Sequence, residues 1–267
     1  MKGAKNASTF YLGGLSGDAG TTLSGFNVKA KGEGTWIVGT ANTHETFRGV
    51  IDDNDQAGTH PGKTSITKQG SGDWRLTGAN TYSGATQVQQ GRLIINGTHS
   101  GTGAVTVASG ATLAGKGTIT GAVTINAGGI LQVGDTLATD RGLTFKATLK
   151  LGQGAVLQLN EAMAGVSREP GATIQAFKGT ATGTFAEIIP ATPGEGLEWD
   201  TSELYSKGIL RVVVSTAVNT VGMGEQPVQV DYYQLSGERV DTPAKGGVYI
   251  MRTTTADGQV YTQKVNL

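Results

Sequence analysis

"GAVTVASGATL", residues 103–113, is followed by "GAVTINAGGIL", residues 121–131. Gly103, Ala104, Val105, Thr106, Gly110 and Leu113 return 18 positions later as Gly121, Ala122, Val123, Thr124, Gly128 and Leu131. Val107 returns as Ile125, which keeps a stiff, apolar, β-branched side chain. The same phrase extends in both directions: an apolar residue, a glycine three positions on, then leucine. It occurs at Val88/Gly91/Leu93, Val107/Gly110/Leu113 and Ile125/Gly128/Leu131, and Gly154/Leu157 continues it after the insertion "DTLATDRG" at 135–142. "GTTLSG" at 20–25 reads as an earlier member. Self-similarity at a fixed short period marks a chain that stacks on itself.

The local pattern says what is stacked. Apolar stretches such as "AVTV", "AVTI", "ILQV" and "AVLQL" are short and end at Gly or Asn. Apolar residues in them alternate with Thr or Gln, which indicates half-buried strands, and helical periodicity is nearly absent. A step near 20 residues suits three short strands and three turns, one coil of a parallel β-helix. Coils then pair at roughly 4.8 Å, so residues 8 to 185 give roughly nine coils and about 40 Å of stack. Leu76, Val88, Leu93, Val105, Val107, Leu113, Ile119, Val123, Ile125, Leu131 and Val133 are expected inside. Thr106, Thr118, Thr120, Thr124 and Asn126 are expected outside. The competing architecture is an antiparallel sandwich with similar hairpins.

Composition excludes several classes of function. The chain has 267 residues with 43 Gly and 6 Pro, and no Gly-X-Y period. Its 21 basic and 21 acidic residues cancel, which removes the electrostatic reason to expect nucleic acid as a partner. The absence of Cys excludes disulfides, thiolate metal sites and cysteine nucleophiles. No apolar run approaches 18 residues, so no helix is expected to span a membrane. "NASTFYLGG" is too polar for a signal-peptide core, so an export signal is expected upstream of residue 1, with Met1 the start of a fragment.

The texture changes near residue 190, which divides the chain into an expected coil domain, 1–190, and a smaller antiparallel β domain, 191–267. Pro190, Pro193, Gly194 and Gly196 make the break. "GILRVVVSTAV" follows, an apolar run suited to a strand buried on both sides. "VQVDYYQLSGERV" reads as strand, turn, strand, and "GGVYIMRTTTADGQVYTQKVNL" as a hairpin about Asp257-Gly258. Such a unit is expected to cap the open edge of the last coil.

Two stretches carry family resemblances. "ITKQGSGDWRLTGANTYSGATQVQQGRLIINGT", residues 66–98, resembles the autotransporter-associated β-strand repeat. Lys68, Gly70, Gly72, Leu76, Gly78, Asn80, Tyr82, Gly84, Thr86, Val88, Gly91 and Leu93 fall on its pattern. Neighbouring phrases such as "ETFRGVI" and "LEWDTSELYSKGILRV" extend the similarity over residues 8 to 215. The resemblance implies a right-handed, single-stranded parallel β-helix in an exported, surface-located bacterial protein, without enzymatic activity. The C-terminus resembles the type IX secretion sorting domain of Bacteroidetes through Tyr233, Gly237, Val240, Gly247, Tyr249, Ile250, Lys264 and Val265. Gln234 stands where that family favours Asp, and Glu238-Arg239 shifts its Gly-Arg pair by one. This second resemblance implies a small immunoglobulin-like sandwich that engages secretion machinery.

Candidate chemistry is sparse, and no cofactor is implied. Asp52, Asp53 and Asp55, with His60 nearby, form the densest acidic cluster, but Ca²⁺-loop phasing and its terminal Glu are absent, and a solvated turn between coils accounts for them. His44, His60 and His99 lack metal-ligand spacing and read as surface histidines. No G-x-S-x-G elbow and no phosphate loop is present. Trp36 and Trp199 are candidate sugar platforms, whereas Trp74 and Tyr82 sit at alternating positions of the repeat and are expected to pack inside. The leading reading is a non-catalytic stalk at the cell surface that displays upstream domains of the same polypeptide. A glycan-binding or adhesive module, using exposed aromatics or loop 135–142, comes second. A polysaccharide lyase or hydrolase using the acidic cluster comes third.

Overall fold

The computed structural model describes residues 7–25, 33–53, 62–135, 141–159, 168–215, 227–255, 258 and 260–266. They fall into two compact units, Met1–Val213 and Val214–Leu267.

The first unit is a stack of coils with three faces. One face pairs eight strands in parallel: Ala7–Leu12, Glu33–Val38, Lys63–Lys68, Thr86–Val88, Val105–Val107, Val123–Ile125, Leu149–Leu151 and Ala181–Thr182. Eight strands at the ordinary spacing rise roughly 34 Å. A second face stacks seven strands, from Glu45–Phe47 through Asp73–Leu76, Arg92–Ile95, Thr112–Gly115, Ile130–Val133 and Val156–Leu159 to Glu187–Ile189. A third, narrower face stacks Ala79–Asn80, Thr98–His99, Thr118–Ile119 and Thr144–Phe145. This is the parallel β-helix read from the repeat, and the antiparallel sandwich is excluded for these residues.

Register explains the echo. Val105 lies beside Val123, Thr106 beside Thr124 and Val107 beside Ile125. Leu113 lies beside Leu131, and Leu131 beside Leu157. Each coil repeats its predecessor because an inward side chain rests on the inward side chain below. All the positions expected inside are buried, Val105, Val107, Ile125 and Leu113 completely. Each such side chain contributes about 1.5–3 kcal/mol by leaving water. The recurring glycines Gly91, Gly110, Gly128 and Gly154 turn the chain from the first face to the second with φ of 61°, 73°, 70° and 92°. A side chain there would strain the backbone, which is why the echo preserves glycine. "GTTLSG" departs from that phase: Thr22–Ser24 pairs with Val50–Asp52 on the third side of the stack, so Leu23 is no counterpart of Leu93.

The first unit extends past residue 190 because Ile209–Val214 runs antiparallel to Thr173–Gln175. Leu210 and Val212 are buried, but their alternate neighbours are partly exposed and Val214 is 60% exposed. The run "ILRVVV" is therefore buried on one side, not both. A single helical turn, Leu204–Lys207, precedes it and closes on Gly208 in the left-handed region.

The second unit is a four-stranded antiparallel sheet in the order Arg239–Val240, Pro227–Tyr233, Val248–Thr255, Val260–Asn266. The strand-turn-strand is present, with Tyr232 opposite Val240. So is the hairpin, with Tyr249 opposite Val265 and Ile250 opposite Lys264. Asp257 of its turn lies outside the described residues.

Candidate functional site

The outer surface of the second face carries a polar ladder. Arg92 forks onto Asp73, Nε to Oδ1 at 2.9 Å and Nη2 to Oδ2 at 2.5 Å, and its Nη1 donates to Gln132 Oε1 at 3.0 Å. Burial pushes the Asp73 carboxyl up, but the bonds and charge of Arg92, with His44, outweigh it and hold the group below the usual range. One row along, Asp135 is buried and accepts from Arg75 Nε at 3.1 Å, Arg75 Nη2 at 2.7 Å and Asn96 Nδ2 at 2.6 Å. Gly115 N–H donates to Gly134 O at 3.0 Å, so the chain after Val133 folds back over the sheet. Ile94 and Ala114, which share the row of Arg75, are fully buried. These interactions staple coils together. Asp135 begins the inserted loop that was a candidate for glycan binding, and its carboxylate is committed to the staple. Residues 136–140 lie outside the described residues.

The acidic cluster has a structural role where it is described. The Asp52 carboxylate accepts from Ser24 Oγ. Asp53 Oδ1 accepts from Thr64 N–H at 2.8 Å, and its Oδ2 accepts from Ser83 N–H at 3.0 Å. Both therefore tie coil to coil. Asp55 and His60 lie outside the described residues. Among the described residues, no group of three His, Asp or Glu could hold a metal ion.

His99 departs from the surface position expected of it. It lies on the inner side of the third face beside Ile119, with 1% of its surface exposed. Its ring stands 4.2 Å from that of Tyr82. Nε2 lies 3.3 Å from Tyr82 O, while Nδ1 has no partner among the described residues. Burial pulls its pKa down to about 4. Tyr82 is fully buried, as expected, and its hydroxyl lies 2.7 Å from Thr86 Oγ1. Trp74 is buried too, with Nε1 donating to Leu15 O at 3.0 Å.

The two candidate sugar platforms differ. Trp36 stacks on Phe10 with centroids 4.6 Å apart and donates to Ser24 O at 3.1 Å, so it belongs to the inner row of the first coils. Trp199 lines an open groove of about 470 Å³ at the last coil, with Phe185, Glu187, Ile188, Glu198 and Tyr205. Trp199 Nε1 donates to Pro190 O at 2.9 Å. Arg168 lies over the indole at 5.9 Å and donates from Nη1 to Pro193 O at 3.1 Å. Tyr205 Oη accepts from Phe185 N–H at 3.2 Å, and the Phe185 and Tyr205 rings stack at 6.2 Å. Trp199 and Tyr205 are thus oriented by their own polar atoms before any ligand arrives. Tyr205 was missed from sequence: it comes from the single helical turn, which no periodicity could reveal. Glu187 and Glu198 carry no signal in the sequence, because the last strand of the second face and the strand Leu197–Asp200 meet only in three dimensions.

Two similarities to known proteins bear on the chain. Residues 66–95 match the passenger-associated-transport-repeat family. A stretch of 123 residues, 46% of the chain, is 34% identical to the adhesin BmaC autotransporter of Brucella suis biovar 1 (strain 1330). The match spans only 3% of that relative's length. Together these similarities point to a secreted or cell-surface protein.

Proposed function

We propose that the chain is a non-catalytic scaffold module of a larger exported surface protein, a stiff spacer that holds other segments of its polypeptide away from the cell. The observation that supports this most is the register itself: Val105 on Val123, Leu113 on Leu131, with no change of phase between them. A stack of this kind derives its rigidity from continuous backbone pairing and an inner row shared between coils. The similarity to an adhesin whose length far exceeds this chain agrees with a repeated spacer. The outer acidic residues Asp52, Asp53, Asp73 and Asp135 are engaged in inter-coil bonds, which also favours a structural over a hydrolytic role.

The test is a change of length. Removing residues 105–122, one full 18-residue step of the register, brings Val123 onto the strand that Val105 left. The shortened chain should melt as one cooperative β-sheet unit and resist protease. Removing only 105–113 destroys the phase and should abolish that cooperativity. Equal behaviour of the two deletions would exclude the stack as the basis of stiffness.

The C-terminal sheet is proposed as the sorting segment of this surface protein. The hairpin carries Tyr249, Ile250, Lys264 and Val265, the strand before it Tyr233, and the turn Gly237. Fusion of residues 227–267 to a periplasmic reporter tests this: the reporter should reach the cell surface of a type IX-competent host, and Lys264→Ala should reduce that export.

A further inference from the structure

The groove at the last coil has no part in a spacer. We propose that it binds uncharged carbohydrate, one or two sugar rings of a longer glycan. The inference goes beyond the scaffold reading and can fail without disturbing it.

The argument begins with what lines the groove. Trp199 and Tyr205 supply flat apolar surface, which suits the C–H face of a pyranose. Glu187 supplies exposed carboxylate oxygens, which only accept hydrogen bonds, and sugar hydroxyls are donors placed around a ring edge. Thr201 adds a hydroxyl that both donates and accepts. At about 470 Å³ the groove lies within the ordinary range for small-ligand sites.

Preorganisation comes next. The indole is fixed by Pro190 O and braced by Arg168, and Tyr205 is fixed by Phe185 N–H. Side chains already immobilised lose little entropy on binding, which matters for a weak, polar ligand.

Charge then narrows the class. None of the described lining residues is basic, and Arg168 donates to Pro193 O beside the groove. A phosphate, sulfate or uronate would meet the exposed carboxylate of Glu187. A lysine-rich peptide would find attraction at Glu187, but an exposed ion pair on its own contributes little, whereas a sugar engages Glu187 and the two fixed rings together. Fixed rings and hydroxyl acceptors favour the sugar.

The experiment uses the whole chain on an array of neutral, sialylated and sulfated oligosaccharides that also carries trilysine peptide. Hits are followed by tryptophan fluorescence titration. Neutral glycans should be retained, and sialylated and sulfated ones should not. Glu187→Lys changes an exposed side chain and should weaken the best neutral hit at least tenfold with an unchanged melt. Trp199→Ala should weaken it at least as much. A blank array overturns the proposal, as do hits unchanged in Glu187→Lys, or retention of trilysine in place of sugars.

Discussion

The coil stack and the C-terminal sheet are both β structure, yet they bury different things. In the stack, the inner row Val88, Val107, Ile125 is fully buried on coil after coil. In the C-terminal sheet, the described residues that are buried are Asp231 and Thr253, while Val230 and Val260 are 41% and 47% exposed. Asp231 is held by Arg239 at 2.7 Å and Gln229 at 2.8 Å. The difference is one of architecture. A coil closes on itself and presents an interior that the next coil completes. A single sheet of four strands has two faces and no interior of its own, so backbone pairing and polar contacts carry more of its order.

Substituting one residue type in both regions tests this directly. Val105→Asp places a carboxylate between Val123 and Thr86, fully buried, with no cation among the described residues beside it in the register. It should destabilise the stack by more than about 4 kcal/mol, or prevent folding. Val230→Asp replaces a side chain that is 41% exposed and should change stability by about 1 kcal/mol or less. Urea denaturation followed by circular dichroism measures both. Equal losses would mean the two regions share one mode of stabilisation.

Glycine sharpens the contrast at a smaller scale. Gly70 and Gly237 both sit in the left-handed region, at φ 69° and 90°. A Cβ on Gly70 would lie 1.9 Å from Gly39 O, whereas one on Gly237 meets nothing within 4 Å. Gly70→Ala combines backbone strain with a collision between coils and should lose about 3–4 kcal/mol. Gly237→Ala carries the strain alone, about 1–2 kcal/mol. The difference in denaturation midpoint between the two variants reads the closeness of the coils.

Acid should act on the stack. Its buried His99 has a folded pKa of about 4, below the ordinary 6.5, because burial opposes its charge. The unfolded chain therefore takes up this proton first as pH falls. The associated stability is complete above pH 6.5, declines between 6.5 and about 4, and stays constant below. A shift of this size corresponds to about 3 kcal/mol. The C-terminal sheet contains no histidine and should lack this transition. His99→Ile copies the Ile119 beside it and should flatten the curve. A slope unchanged in that variant would assign the acid sensitivity elsewhere.

The stack was more legible than the groove for a physical reason. Val105, Val123 and Leu131 announce themselves because each coil imposes the same requirement at the same phase. Even Trp74 and Tyr82 could be placed from alternation. Whatever happens once is invisible to a repeat. Asp135 looked like a loop residue because its partner Arg75 is 60 positions away. His99 looked like a surface residue because its two-residue strand is too short to show alternation. The groove depends on Trp199 and Tyr205, which follow the last regular coil in sequence, meeting Glu187 of that coil. The break near 190 marked a real change of composition, but Ile209–Val214 returns across it to pair with Thr173–Gln175, a long-range match without periodicity.

Lys68 is the smallest and most specific test of the comparison. It occupies the inner row between Val38 and Val88, and only 1% of it is exposed. Its Nζ donates to Gln69 O at 2.6 Å, Gly70 O at 2.8 Å and Gln90 O at 3.2 Å, so it joins the turns of two coils. Burial pulls its pKa down to about 8, against a smaller opposing attraction from Asp73. Lys68→Met keeps the stem and removes the donors, leaving those carbonyls short of a partner. The expected loss at pH 7 is about 1–2 kcal/mol, since the removed desolvation of the ammonium offsets part of the lost bonding. Lys264→Met in the exposed hairpin should cost less than about 0.5 kcal/mol. The pH dependence has a definite sign. Between about 8 and 10.5 the unfolded chain holds the proton that folded Lys68 has released, so the wild type should gain stability over Lys68→Met as pH rises through that window. A Met variant that is more stable at pH 7, with a constant difference up to pH 10.5, would show that this lysine reaches solvent and that the inner row is apolar without exception.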